Sequence, residues 1–166
     1  MNRITRITTV ALLGGGLLVG NQALAADKTL FFNYGQTPVF QTDTDNGNVY
    51  GNSFEFGVVV DDDIRAGIYQ EEVTMEDAQD YNVKGMSFEY RLLGQEKFAA
   101  APGLMVGSSD NNTSLVADLY GRIMLLASEN SNLNARVAYR SAPDEGVGGA
   151  GNADGISLSV GFGLTF

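Results

Sequence analysis

The sequence predicts an all-β chain, an eight-stranded antiparallel up-and-down transmembrane β-barrel over residues 26–166, behind a signal peptide at residues 1–25. Three observations carry that expectation. From Lys28 to Phe166 apolar residues recur with a period of two, and no stretch keeps a helical period. The links between the alternating segments are long on one rim and short on the other. The arginines and several carboxylates collect on the side of the strands opposite the apolar one.

The N-terminal segment MNRITRITTVALLGGGLLVGNQALA has Arg3 and Arg6, an apolar run from about Val10 to Val19, and the small-residue site Ala23-Leu24-Ala25. A basic start, a short apolar run and an A-x-A site describe a cleaved secretory signal. The run is too short and too glycine-rich for a membrane-spanning helix of about 20 residues.

Eight segments follow. The first, Lys28–Gln36, has Leu30, Phe32 and Tyr34 on one face. The second, Ser53–Asp61, has Phe54, Phe56, Val58 and Val60. The third, Asp63–Val73, has Ile64, Ala66 and Ile68. The fourth, Val83–Gly94, has Met86, Phe88, Tyr90 and Leu92. The fifth, Phe98–Gly107, has Phe98, Ala100, Leu104 and Val106, and is interrupted by Pro102, which cannot donate a ladder hydrogen bond. The sixth, Ser114–Ala127, has Leu115, Leu119, Ile123 and Leu125. The seventh, Asn132–Arg140, has Leu133, Ala135, Val137 and Tyr139. The last runs from Ile156 through Leu158, Val160, Phe162 and Leu164 to Phe166, with small or polar residues between.

Long links fall at Thr37–Asn52, Thr74–Asn82 and Ser141–Asp154, with a middling one at Ser108–Thr113; short turns fall near Asp62, Gln95–Lys97 and Ser128–Ser131. An up-and-down barrel with both termini on the short-turn rim produces this alternation. Within the first long link, Val39, Phe40, Val49 and Tyr50 flank an Asn46-Gly47 hairpin tip, a pattern that could carry two strands outward as a protruding hairpin with a free edge.

Alternation alone fits a soluble lipocalin-like barrel as well as a membrane barrel. The polar faces discriminate. They carry Glu55, Arg65, Glu71, Glu89, Arg91, Asp118, Arg122, Arg136 and Arg140, whereas Lys28, Lys84 and Lys97 sit at strand ends. Arginine pairs bidentately with carboxylate, so near-balanced charges of these types suit a narrow polar interior. The apolar faces then meet lipid, where only a closed barrel satisfies every strand's backbone. Phe98 and Phe166 are expected near one interface, and Tyr34 and Phe54 near the other.

The composition excludes several chemistries. The chain lacks cysteine and histidine, which removes disulfides, thiolate metal sites and the usual general base. It holds 10 basic and 20 acidic residues; loss of Arg3 and Arg6 with the signal takes the net charge from −10 to −12. Nucleic acid is an unsuitable partner for such a surface. Adjacent Glu71 and Glu72 face opposite sides of a strand and do not form an acid–base pair.

On these residues the mature chain resembles the small eight-stranded outer-membrane β-barrels of Gram-negative bacteria, the OmpX and OmpA transmembrane-domain type. Val160, Phe162, Leu164 and Phe166 resemble that family's C-terminal assembly signal, which implies the barrel-assembly machinery as a partner during biogenesis. The resemblance implies an outer-membrane location among lipid and lipopolysaccharide. The barrel enzymes of that membrane use histidine, so no catalytic residue is carried over and no enzymatic activity is expected.

No cofactor or metal site is expected. Asp43–Asn48 has glycine one position too early for a calcium loop, and Gly148–Asp154 is a single displaced copy of a calcium-binding nonapeptide. The long-loop rim is acidic, with Asp43, Asp45, Glu72, Glu76, Asp77, Asp80, Asp110, Asp144, Glu145 and Asp154 against Lys84. The expected function is a structural or surface-interaction barrel, monomeric, its lumen closed by the Arg/carboxylate network and its outer loops open to a protein partner. A narrow pore and a soluble secreted binding barrel are the alternatives.

Overall fold

The computed structural model describes residues 29–42, 49–61, 63–76, 80–95, 97–110, 115–128, 130–141 and 154–166. The expected signal peptide, the Asn46-Gly47 tip, Asp43, Asp45, Asp77, Asp144, Glu145 and the glycine run before Asp154 lie outside them.

Strand β1 covers Thr29–Thr42, β2 Val49–Asp61, β3 Ile64–Met75, β4 Tyr81–Tyr90, β5 Leu93–Gln95, β6 Phe98–Ser109, β7 Leu115–Ser128, β8 Ser131–Ser141 and β9 Gly155–Thr165. Every neighbouring pair is antiparallel, and β1 pairs with β9 as well as β2, so the first and last strands meet. β4 and β5 both pair with β6 and together make one stave. The result is a closed eight-stave up-and-down barrel.

The stagger follows from the register. The chain of partners Thr29↔Val59, Val59↔Arg65, Arg65↔Glu89, Glu89↔Gly103, Gly103↔Tyr120, Tyr120↔Ala138, Ala138↔Ser157 and Ser157↔Phe40 returns to β1 eleven residues above its start. One of the eleven is the extra residue of a bulge between Gln36 and Val39, which leaves a shear of ten. That stagger fits a strand tilt of about 35–45° and an interior just wide enough for side chains to fill.

The strands run further toward the long-loop rim than the sequence suggests. β1 reaches Thr42, β2 begins at Val49, and β3 reaches Met75. The bulge at Thr37 and Pro38 turns Phe40 inward, and both Phe40 and Val49 are buried. Above Thr37, β1 is held by β9 through Val39↔Leu158 to Thr42↔Gly155. These residues therefore build the barrel wall and its lumen, in place of a protruding hairpin.

Pro102 does not interrupt β6. It points outward and pairs in register with Gly121. The break falls on the facing stave instead: the β4 register ends at Glu89↔Gly103 and resumes one residue out of step at Leu93↔Ala100. Proline offers no N–H to that edge, so a bulge at Arg91 and Leu92 takes up the mismatch.

The outer wall is apolar. Ile68, Phe88, Leu119, Ile123, Leu133, Val137 and Val160 are all exposed there. A water-soluble barrel would place these side chains in its core, which counts against the soluble alternative.

Candidate functional site

The lumen holds the charged groups, arranged as two clusters between apolar ends. In the lower cluster Glu55 is the hub. It accepts hydrogen bonds from Arg122 Nη2 at 2.7 Å, from Asn33 Nδ2 at 2.9 Å and from the Ser87 hydroxyl. Arg122 Nη1 lies 3.0 Å from Glu89 Oε2 without hydrogen-bond alignment, and Arg65 Nη1 lies 3.7 Å from Glu89 Oε1. Glu89 is thus neutralised by charge on two sides and held less firmly than Glu55.

In the upper cluster Asp118 is the hub. Arg140 grips it with a fork, Nε to Oδ1 at 2.7 Å and Nη2 to Oδ2 at 2.9 Å, and also donates to Glu71. Arg136 donates Nη2 to Asp118 Oδ2 at 2.9 Å and Nη1 to the Tyr69 hydroxyl at 3.0 Å. Thr37 bridges Ser159 at 2.8 Å and Glu71 at 3.5 Å. These positions derive from strand parity. On β7, Asp118, Tyr120, Arg122 and Met124 are alternate residues and share the inward face.

The Tyr120 ring joins the clusters. The Arg136 guanidinium lies 4.2 Å from its centroid and that of Arg122 5.5 Å. Two cations against one ring extend the network through the aromatic quadrupole. The ring has room because Gly103 lies beneath it on β6: a Cβ there would fall within the ring. A void of about 10 Å³, the size of one water, remains between Asn33, Ser53, Glu55, Tyr69, Arg122 and Arg136.

Eight of the nine charged residues expected in the lumen are brought inside. Arg91 is not among them. It sits half-buried at the bulge, donates its backbone N–H to Asp63 O at 2.7 Å, and has no ion pair among the described residues. The bulge takes Arg91 out of the inward alternation. The lumen is left with four arginines facing four carboxylates.

Sequence reasoning missed the apolar caps. Toward the long-loop rim Phe40, Val49, Val73, Met75, Tyr81, Val83 and Val116 belong to one buried cluster, with Arg140 stacked 5.4 Å from Phe40. At the opposite end Ala99, Ala101 and Met124 form a second, and Phe31 is buried with the Arg65 guanidinium 5.5 Å from its ring centroid. The signal was available: Val73 and Met75 continue the parity of Glu71, and Met124 that of Arg122.

Outside the lumen, Val160, Phe162, Leu164 and Phe166 all face outward from β9 and its end. Leu30 and Phe166 exchange both backbone hydrogen bonds, at 2.7 and 2.9 Å, across the seam between first and last strands. Phe32, Tyr34, Phe54 and Phe162 form a tilted aromatic group across that seam, with centroids 5.2–6.5 Å apart. Among the rim acids, Asp110 accepts from Asn82 N and Nδ2 at 2.7 Å, and Asp80 from Met75 N at 3.2 Å; these two carboxylates cap strand ends. No cluster of metal-ligating side chains occurs among the described residues.

No family model and no curated protein matches the chain. Solved structures do. The Neisserial surface protein A structure superposes with a TM-score of 0.65 at 14% identity, covering 84% of this chain and 96% of that one. The N-terminal β-barrel domain of Pseudomonas aeruginosa OprF gives 0.56 at 13% identity, over 84% and 97%. The Pseudomonas aeruginosa outer membrane protein OprG gives 0.51 at 13% identity, over 84% and 95%. At these identities the likeness is one of fold, and on it the chain has the architecture of the small eight-stranded outer-membrane barrels.

Proposed function

We propose that this chain is a non-enzymatic barrel of the Gram-negative outer membrane, exported behind a cleaved signal at residues 1–25, with a structural or surface-interaction role. What supports the reading is the pairing of an apolar outer wall with an interior crowded by two ionic clusters and the buried apolar groups at their ends. The ionic network plugs the middle of the barrel, and the apolar caps keep water from it at both mouths. Every inward carboxylate faces an arginine, so none is left aimed at a cleft where it could act as acid or base.

The activity then belongs to the outer loops. The strand ends that lead into them, at Thr42, Val49, Met75, Tyr81, Ser141 and Gly155, lie on the rim opposite Thr29 and Phe166, and the acidic residues there are the surface offered to a protein partner. Lipopolysaccharide is expected to surround the wall. Val160, Phe162, Leu164 and Phe166 present the outward edge that the barrel-assembly machinery reads, and one closed barrel serves as a monomer.

Cell fractionation combined with protease treatment of intact cells tests this reading. The expected result is heat-modifiable protein in the outer membrane, cleaved from outside only in the long loops. Recovery as a soluble periplasmic monomer without detergent contradicts it.

A further inference from the structure

The outer wall is not equally tall on all sides. At a rise of about 3.3 Å per residue and a tilt of about 40°, each residue climbs roughly 2.5 Å along the barrel axis. A shear of ten over eight staves adds about 3 Å for each lateral step along the register. Counted from Thr29, the outward side chains Gln36, Asn52, Gln70 and Lys84 stand at roughly 17, 20, 18 and 22 Å. They occupy four contiguous strands, β1 to β4. Gln36, Asn52 and Lys84 are exposed and Gln70 half-exposed. Tyr34 lies just below with its hydroxyl raised to the shelf, 3.1 Å from both Asn52 Oδ1 and Gln36 Nε2.

At the same heights the wall on β7 to β9 is apolar. Leu119, Leu158 and Tyr139 stand at roughly 18, 19 and 21 Å, and Ile156 at about 24 Å. All four are exposed. Glu72, Thr74 and Asn82 continue the polar surface above the shelf on β3 and β4, with Val39 and Tyr50 as the interruptions on β1 and β2. The short-turn rim gives no such asymmetry: Val60, Ile64 and Leu92 on one half match Leu125, Leu133 and Phe166 on the other.

We infer that the hydrocarbon boundary on the outer-loop side dips along β1–β4, so that lipid headgroups of that leaflet descend onto the shelf of Gln36, Asn52, Gln70 and Lys84. The apolar belt is a wedge, shorter by about two residues' climb on β1–β4 than on β7–β9. The Tyr34 hydroxyl satisfies one polar atom each of Asn52 and Gln36, and amides left with further polar atoms to satisfy are disfavoured in hydrocarbon, whereas a bilayer thins locally at modest cost to meet a short apolar span. The shelf's polar groups suit a headgroup: amides that donate and accept, and Lys84 as a cation for phosphate. The inference rests on the membrane reading above and adds where the membrane is thin.

The chain's lack of cysteine makes the test direct. Single-cysteine variants Asn52→Cys, Gln70→Cys, Leu119→Cys and Leu158→Cys, each at an outward position, are spin-labelled and folded into phosphatidylcholine vesicles. Accessibility to oxygen and to a water-soluble nickel chelate is then compared. Labels at 52 and 70 are expected to favour the nickel chelate several-fold relative to those at 119 and 158. Equal burial of all four in hydrocarbon overturns the wedge and leaves the membrane reading intact. Water access at all four overturns the membrane reading itself. Shielding of 52 and 70 from both reagents overturns the wedge in favour of a second copy packed on this face. As an independent readout, Gln36→Leu/Asn52→Leu/Gln70→Leu should move the most efficient folding toward longer-chain lipid, and an unchanged optimum counts against the wedge.

Discussion

Replacing Arg122 by alanine should be among the most damaging single changes in this barrel. Arg122 is 4% exposed and faces two carboxylates, Glu55 at 2.7 Å and Glu89 at 3.0 Å, with its guanidinium beside the Tyr120 ring. Without it Glu55 keeps its bonds from Asn33 and Ser87, but Glu89 keeps only the longer contact to Arg65. Removing one partner of a buried ion pair costs about 3–5 kcal/mol, chiefly because the other charge is stranded. The stranding here is partly relieved for Glu55 and barely for Glu89, so a loss of about 3–4 kcal/mol is expected. Lys97→Ala, in an exposed short turn, should change stability by no more than about 0.5 kcal/mol. Urea titration of refolded protein in lipid vesicles, followed by the heat-dependent gel shift, measures both. The double change Arg122→Met/Glu55→Gln should recover much of the loss, since it removes one charge of each sign and leaves Glu89 to Arg65. A loss under about 1 kcal/mol for Arg122→Ala would falsify the claim that this pair is dry and mutually dependent.

Three further outcomes are expected. Gly103→Ala should displace the Tyr120 ring and part the two arginines it joins, lowering the urea midpoint by an amount that Gly121→Ala, open on the outer wall, does not. Phe40→Ala should cost about 2–4 kcal/mol and hydrate the outer cap, read as faster amide exchange near Arg140, whereas Val39→Ala beside it should be nearly silent. Deletion of Phe166 removes the two backbone bonds to Leu30 and a mostly exposed ring, so refolding from urea should lose only about 1–3 kcal/mol while the yield of inserted barrel in cells falls sharply. Equal loss in both assays excludes an assembly role for that residue.

The architecture was legible because a strand's side-chain period is two and each stave spends ten or more residues repeating it. Parity assigns each side chain to wall or lumen with no knowledge of the neighbouring strands, and link length orders the hairpins. Partnership is a different matter. Arg140 on β8 reaches Glu71 on β3, and Arg122 on β7 reaches Glu55 on β2, across the barrel rather than between neighbours. Such contacts depend on the shear, which is a sum over every register and is written in no single segment. Arg91 marks the same limit, since one bulge opposite Pro102 cancels its parity. The apolar caps are not legible from polarity, because Val73, Val83 and Val116 on the inward face are the same residue types as the lipid-facing wall and only their parity separates them. The extra length of β1 and β2 was hidden by the bulge at Thr37 and Pro38, which takes Phe40 out of the outward alternation of Tyr34 and Gln36.

Single-channel recording of purified monomer in planar bilayers tests the sealed lumen most directly. The account predicts a silent barrel, with no steady conductance at neutral pH across ordinary voltages, because four arginines and four carboxylates neutralise one another between two apolar caps. Phe40→Ala/Arg140→Ala, which removes a cap residue and the charge stacked on it, should admit brief openings. Stable ohmic channels from the unaltered protein would contradict the account and make the barrel a narrow pore.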